Sequence, residues 1–360
     1  MLAAIATSAV SLLAVPTAGL LGHRALKRFR SASLMKIDST NGVDEQGFVR
    51  IGGIDQWIAV RGEDLTNPVV LELHGGPGAS TAIFGPRTRS WEKYFTIVRW
   101  DMRGTLKTLG RRGAGRQGEM SFERIYADAA EVTDHIRSRL GVDKIVLLGH
   151  SYGSAFGLRL AREFPERYSA YVGTDQNIHD CGRDDSVHQA LLTRLRASGK
   201  RKELTAVERL DDDKHRWTDR ERAMHAKLLA TSDPLTLATM KKVVMGSLWL
   251  SPLHSLRELR HFVRGMSLSE QVTAGTSAFD DWADGTDFEI PFFLFQGEKD
   301  VLTPPDLARR FFDDVRAPVK AFALIEDCSH FAAFRRPERF LELLLAHVRP
   351  AVTADESASL

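Results

Sequence analysis

The stretch Lys144-Ile145-Val146-Leu147-Leu148-Gly149-His150-Ser151-Tyr152-Gly153-Ser154-Ala155 decides the fold. Its first half is a short, unbroken apolar run, as expected of a strand buried on both faces of a parallel sheet. Its second half reads G-x-S-x-G followed by small residues, and a helical pattern then runs over about residues 152–163 towards Pro165. A serine at a sharp strand-to-helix turn needs small neighbours, because the turn brings backbone segments close together. Alone, the G-x-S-x-G string says little, since glycine and serine are common in loops. The strand before it and the helix after it give it meaning.

Outward from this point the same alternation continues. Residues 48–51 and 54–60 flank Gly52-Gly53, a hairpin signal. Residues 69–73 and 95–100 read as strands. Ser121 caps a helix to about Leu140, with Ile125, Ala129, Val132 and Ile136 on one face and Gly141 as its stop. A short strand covers 171–174. From 177 to 287 strand text is absent, and charged helical segments such as 191–209 and 219–229 replace it. Strands resume at 291–296 and 319–325, and a last helix starts near Pro337. Strands alternating with helices predict an α/β fold with a mostly parallel sheet flanked by helices. The core is expected over 34–176 and 288–350. The interruption at 177–287 is expected to be a helical cap over the carboxyl ends of the strands, where such sheets bind ligands. The tail 351–360 reads as disordered.

Four elements carry chemistry. Ser151 is the candidate nucleophile. His74-Gly75-Gly76-Pro77-Gly78 follows the 69–73 strand, and a glycine turn there leaves N–H groups free to face an oxyanion. Gly76 and Tyr152, the residue after the serine, are the expected donors. Gly297-Glu298-Lys299-Asp300 follows the 291–296 strand; Asp300 is the expected acid and Glu298 its rival, read as a solvated loop charge. Ser329-His330-Phe331 follows the last strand. Of the 12 histidines, His330 alone stands between the last strand and the final helix. A neutral serine hydroxyl is a poor nucleophile. A neutral histidine must take its proton, and an aspartate holds the tautomer and stabilises the imidazolium. Serine, aspartate and histidine stand in the order this chemistry uses on such sheets. It calls for no metal and no organic cofactor, and predicts activity rising through a midpoint near 6.5, the ordinary histidine value.

Composition bounds the rest. The chain has 360 residues, 43% of them hydrophobic, and a formal net charge of +2. That balance argues against nucleic-acid binding, which needs a concentrated basic face. The two cysteines, Cys181 and Cys328, stand far apart, and neither a disulfide framework nor a zinc-spaced cluster is indicated. Residues 1–22 carry no charged side chain, and Arg24, Lys27, Arg28 and Arg30 follow. Segment 1–33 therefore reads as an apolar membrane anchor with a basic flank at the lipid surface, leaving the catalytic domain cytoplasmic. The alternative is a disposable leader on a soluble cytoplasmic protein.

His74 to Gly78, the D-x-R-G of Asp101 to Gly104, the G-H-S-Y-G-S of Gly149 to Ser154, and the Asp300 and His330 segments together resemble the prolyl aminopeptidase (proline iminopeptidase) branch of the α/β-hydrolase family. Three positions depart from the family text: Met102 stands for a glutamine, Leu106 for a glycine and Tyr152 for a tryptophan. The resemblance implies a serine hydrolase acting through an acyl-enzyme on a small molecule or short peptide. It also implies an acid in or beside the cap for the substrate's free amino group. Asp175, directly after the 171–174 strand, is the first choice among Asp175, Asp180, Asp184 and Asp185. A carboxylesterase or lactonase acting on small esters is the alternative, and a non-catalytic ligand receptor on the same fold is the third reading. Epoxide hydrolysis is disfavoured, since it needs a carboxylate where Ser151 stands.

Overall fold

The deciding stretch folds as read. Its apolar run forms strand β5 (Ile145–His150), buried at every position, and helix α4 (Tyr152–Glu163) starts one residue after Ser151. In the computed structural model, which describes residues 19–76, 78–180, 185–273 and 279–357, β5 is central in an eight-stranded sheet.

The strands are β1 (Val43–Ile51), β2 (Ile54–Gly62), β3 (Val69–Leu73), β4 (Thr96–Asp101), β5, β6 (Tyr168–Thr174), β7 (Phe292–Gly297) and β8 (Lys320–Ile325). Their order is β1-β2-β4-β3-β5-β6-β7-β8. The β1–β2 hairpin joins β4 antiparallel, and every pair from β4 to β8 is parallel. Successive β5 side chains enter opposite cores, as the two-residue period requires. Ile145 and Leu147 join α3 (Phe122–Leu140), α4 and α11 (Pro305–Asp314) on one face. Val146 and Leu148 join the C-terminal helices and Trp91 on the other. The parallel strands thus end together, and the loops after β3, β5, β6, β7 and β8 share one rim.

The region between β6 and β7 is helical: α5 (Ser186–Ala197), α6 (Arg201–Glu208), α7 (Asp219–Ser232), α8 (Pro234–Thr239), α9 (Gly246–Leu250) and α10 (Leu256–Thr273). Leu191, Leu192, Leu195, Val207 and Leu229 form the cap's own small core. A second cluster ties cap to core, with Val243, Val244, Leu248 and Phe262 packed on Ile83, Phe84, Leu106 and Phe334. The helix α10 comes close enough to α2 (Leu106–Arg112) and its preceding loop that a Cβ on Gly265 would lie 2.7 Å from the Gly104 carbonyl oxygen.

Two expectations need correction. The chain after Pro350 is helical as far as α14 (Arg349–Ser357). A π-helical turn at Leu344–Val348 absorbs the proline's missing N–H and ring, and Val348 and Val352 are buried in the second core. At the other end, residues 19–34 form helix α1. Its basic residues do not all face outward: Arg24 is 5% exposed and donates to the carbonyls of Trp249 and His254, and Arg28 donates to those of Ser251 and Pro252. These carbonyls lie in the last turn of α9 and the loop after it, where backbone oxygens run out of helical partners. No helix among the described residues is long and apolar enough to cross a membrane, and residues 1–18 of the expected anchor lie outside the described residues. So do Pro77, Cys181 and Asp184.

Candidate active site

Ser151 takes φ 51° and ψ −124°, a conformation that L residues rarely adopt. The turn is enforced sterically. A Cβ on Gly149 would lie 2.6 Å from the Ser154 Cα, and one on Gly153 would lie 2.1 Å from the Leu73 carbonyl oxygen. The Ser151 N–H donates to the Thr174 carbonyl at 3.0 Å, tying the turn to the end of β6.

The loop after β8 brings in His330. Its Nε2 lies 2.9 Å from Ser151 Oγ and its Nδ1 lies 2.8 Å from Asp300 Oδ2. An ionised carboxylate only accepts, so Nδ1 carries the proton and Nε2 of the neutral ring accepts from Oγ–H. Asp300 follows β7 and is itself fixed. Its Oδ1 accepts from the N–H of Leu302 (2.8 Å) and of Thr303 (3.1 Å), and its Oδ2 accepts from the Thr303 hydroxyl (2.8 Å). Glu298 points elsewhere: its side chain is 42% exposed and beside Lys299. Of the two acids, Asp300 is the one in contact with His330.

The glycine turn lies over the serine. A Cβ on Gly75 would sit 2.8 Å from Ser151 Cβ and 3.3 Å from its Oγ, so glycine is required there. Gly76 follows at φ 111°. Tyr152 is the first residue of α4, at the helix end that carries the partial positive charge of the dipole. His74 joins this turn to the D-x-R-G segment: its Nδ1–H donates to the Gly75 carbonyl (3.0 Å), and its Nε2 accepts from the Met102 N–H (3.3 Å). Burial depresses its pKa to about 4 and keeps it neutral, as both bonds need. In the same segment Arg103 is buried, donating to both oxygens of Asp128 and to the carbonyls of Gly52, Gln117 and Glu119. Leu106 stands at φ 25°, where the resembled family has glycine.

Asp175 directly follows β6, as the sequence reading placed it, but its carboxylate is turned to the backbone of the histidine loop. It is fully buried, and its carboxylate accepts the N–H groups of Phe331 (2.9 Å) and Ala332 (3.4 Å), directly after His330. A side chain right after a strand can point to either side of the rim, and this one points at the histidine loop. Among the other acids considered, Asp185 pairs with Lys214 at 3.0 Å, and Asp180 forms a β-bridge with Asp280. Sequence reading missed Thr303, which clamps Asp300, and Thr236 of the cap, whose hydroxyl lies 2.5 Å from that of Ser329. A single short polar residue, whether in a loop like Thr303 or in the first turn of a helix like Thr236, carries no periodic signal that would reveal it.

The electrostatics around His330 bear on the expected midpoint near 6.5. Burial alone would lower the pKa of His330. The charges of Asp300 and Asp175, with the Asp300 hydrogen bond, overturn this and raise it to about 9.

The α/β-hydrolase fold description matches residues 68–337. The chain belongs to the α/β-hydrolase family. A Bacillus subtilis (strain 168) protein named probable aminopeptidase YbaC is 22% identical over 308 residues, covering 83% of this chain and 94% of that one. A proline iminopeptidase of Thermoplasma volcanium is 30% identical over 122 residues, about a third of each chain at 33% and 38%. Among solved structures, a bacterial membrane phospholipase A superposes with TM-score 0.61 at 16% identity, over 95% of this chain and 97% of that one. At that identity the likeness concerns the fold alone. This α/β-hydrolase thus has an aminopeptidase-named relative over most of its length.

Proposed function

We propose that this α/β-hydrolase cleaves an ester or amide through an acyl-enzyme on Ser151. The observation that carries the reading is the continuous chain Ser151 Oγ–His330–Asp300, with links of 2.9 and 2.8 Å. Neutral His330 takes the Oγ proton as Oγ attacks the carbonyl, while Asp300 holds the Nδ1 proton and stabilises the imidazolium. The N–H groups of Gly76 and Tyr152 receive the oxyanion. The imidazolium then gives its proton to the leaving amine or alcohol, and water releases the acyl group by the same route in reverse.

The preferred substrate is a short peptide or amino-acid amide with a free amino end, in line with the family resemblance and the aminopeptidase-named relative. A small ester or lactone is the alternative. An acid other than Asp175 must then receive the ammonium, since a buried unpaired charge is costly and the Asp175 carboxylate is engaged by backbone N–H groups. Comparing an aminoacyl naphthylamide, its N-acetyl form and a nitrophenyl ester decides between these readings. Preference for the free amine supports the aminopeptidase, and equal rates on both amides favour the esterase. Covalent labelling by a fluorophosphonate, lost in Ser151→Ala, tests the serine itself; an unlabelled wild type rejects it and favours a receptor.

The proposal extends to location. Leu20, Leu26, Phe29 and Leu34 of α1 are 53%, 50%, 72% and 68% exposed, and the charge-free residues 1–18 directly precede them. An apolar surface of this kind fits contact with a lipid bilayer.

A further inference from the structure

The site holds one more buried carboxylate than the mechanism above uses. A ring nitrogen of His330 and a carboxylate oxygen each of Asp175 and Asp300 all lie within 4.8 Å of one another, and all three residues are buried. Asp300 arrives from the loop after β7 and Asp175 from the residue after β6, so the two acids reach the imidazole from different loops. The groups facing His330 are Asp300 and Thr303 after β7, Asp175 after β6, and His150 and Ser151 at the end of β5. Burial drives the pKa of His150 down to about 3, so it stays neutral and adds no charge.

Asp175 is held there at a cost. It takes φ 50°, and as a fully buried carboxylate it has lost its water. Capping the N–H groups of Phe331 and Ala332 would need only a neutral oxygen, which asparagine or serine supplies. The charge itself therefore needs a partner. No lysine or arginine among the described residues is ion-paired with Asp175; the cation within reach is the imidazolium of His330.

We infer that Asp175 is a positioning residue of the reaction: with Asp300 it encloses His330 between two buried acids, fixing its loop and stabilising its imidazolium. This rests on the reading of His330 as the base. It carries a consequence for catalysis. The charged ring has no lone pair on Nε2, so it cannot take the Ser151 proton. Two acids thus strengthen the transition state while moving the working range upward in pH. Burial raises the pKa of Asp175 itself to about 6, against the opposing influence of His330, so its charge is present where the enzyme would work and fades in acid.

The test follows kcat/KM on a nitrophenyl ester against pH for wild type, Asp175→Asn and Asp300→Asn, with an NMR titration of His330 in wild type and in Asp175→Asn. The wild-type midpoint is expected above the ordinary histidine value of about 6.5. It should fall by about one to two pH units in Asp175→Asn, the size expected for removing an opposite charge at this range. The rate above the midpoint should fall about tenfold, the equivalent of one such unit. Asp300→Asn should keep a midpoint above about 6.5, because Asp175 remains. A lower rate in Asp175→Asn with an unmoved midpoint would reduce the residue to a backbone cap and overturn the inference. Should Asp175→Asn fail to fold, a wild-type His330 titrating at or below about 6.5 overturns it. The NMR midpoint does not depend on turnover. A raised midpoint in an enzyme whose Ser151→Ala variant stays fully active would sink the acyl-enzyme reading alone.

Discussion

At the scale of single residues, Ser151 combines a strained backbone with a hydroxyl 2.9 Å from His330 Nε2, and in the proposed mechanism the two act as a unit. Ser151→Ala is expected to lower turnover by roughly 10⁶, His330→Ala by a similar factor, and the double variant by little more than either. Steady-state kinetics of the three proteins check this, and additive losses would contradict it. Asp300→Asn should cost less than the about 10⁴ seen where one acid serves the histidine, since Asp175 stays in place, whereas Glu298→Gln should leave kcat/KM nearly unchanged. Activity should fall with decreasing pH, because the base is lost when His330 is protonated, and it should fall from above about 6.5. Ser151, Asp300 and His330 were legible in the sequence because each stands at or in the loop after a strand and their order fits the sheet. Asp175 was legible as a strand-end residue, but its role was not. Only the fold shows that its carboxylate turns towards Phe331 and away from the cap.

At the scale of elements, the loops after β3 and β4 hold each other. His74 bonds across to Met102, and Arg103 anchors the second loop through Asp128 of α3 with Nε at 2.6 Å and Nη2 at 3.0 Å. The D-x-R-G text announced a motif, but not that its arginine is structural, because the partner lies 25 residues away on a helix face. Arg103→Met leaves Asp128 buried without its main partner, a loss of about 3–5 kcal/mol. Denaturant unfolding measures it, and a change below about 1 kcal/mol would show that Asp128 finds other support. The cap rests on these same loops through glycine. Gly265→Val would drive a branched side chain against the Gly104 carbonyl, 2.7 Å from the Cβ position, and lift α10. The expected result is an altered KM ranking among substrates with the fluorophosphonate reactivity of Ser151 retained, since Ser151, Asp300 and His330 are carried by the core sheet and its loops and not by α10.

At the scale of the whole molecule, α1 faces two ways. Arg24 and Arg28 clip it to the carbonyls between Trp249 and His254, at the junction of α9 and α10, while Leu20, Leu26, Phe29 and Leu34 face outward. The sequence showed the apolar segment and the basic cluster as neighbours, and suggested lipid for both. It could not show that two arginines satisfy cap carbonyls, because those carbonyls are more than 220 residues further along the chain. The two halves can be separated by truncation. Removing residues 1–18 should leave kinetics unchanged, because the clip remains. Removing residues 1–33 strips both arginines, exposes the carbonyls they satisfied, and should raise KM by loosening the cap. Arg24→Ala with Arg28→Ala in the full-length chain should reproduce that KM change. On the membrane side, full-length protein should sediment with lipid vesicles and resist a salt wash, since apolar contact is not screened as surface charge is. The double arginine variant should still sediment, because its apolar face is intact. Full-length protein that stays in the supernatant would remove the bilayer from the proposal and leave α1 as a strap on the cap. Equal KM for both truncations would remove the strap and leave only the bilayer.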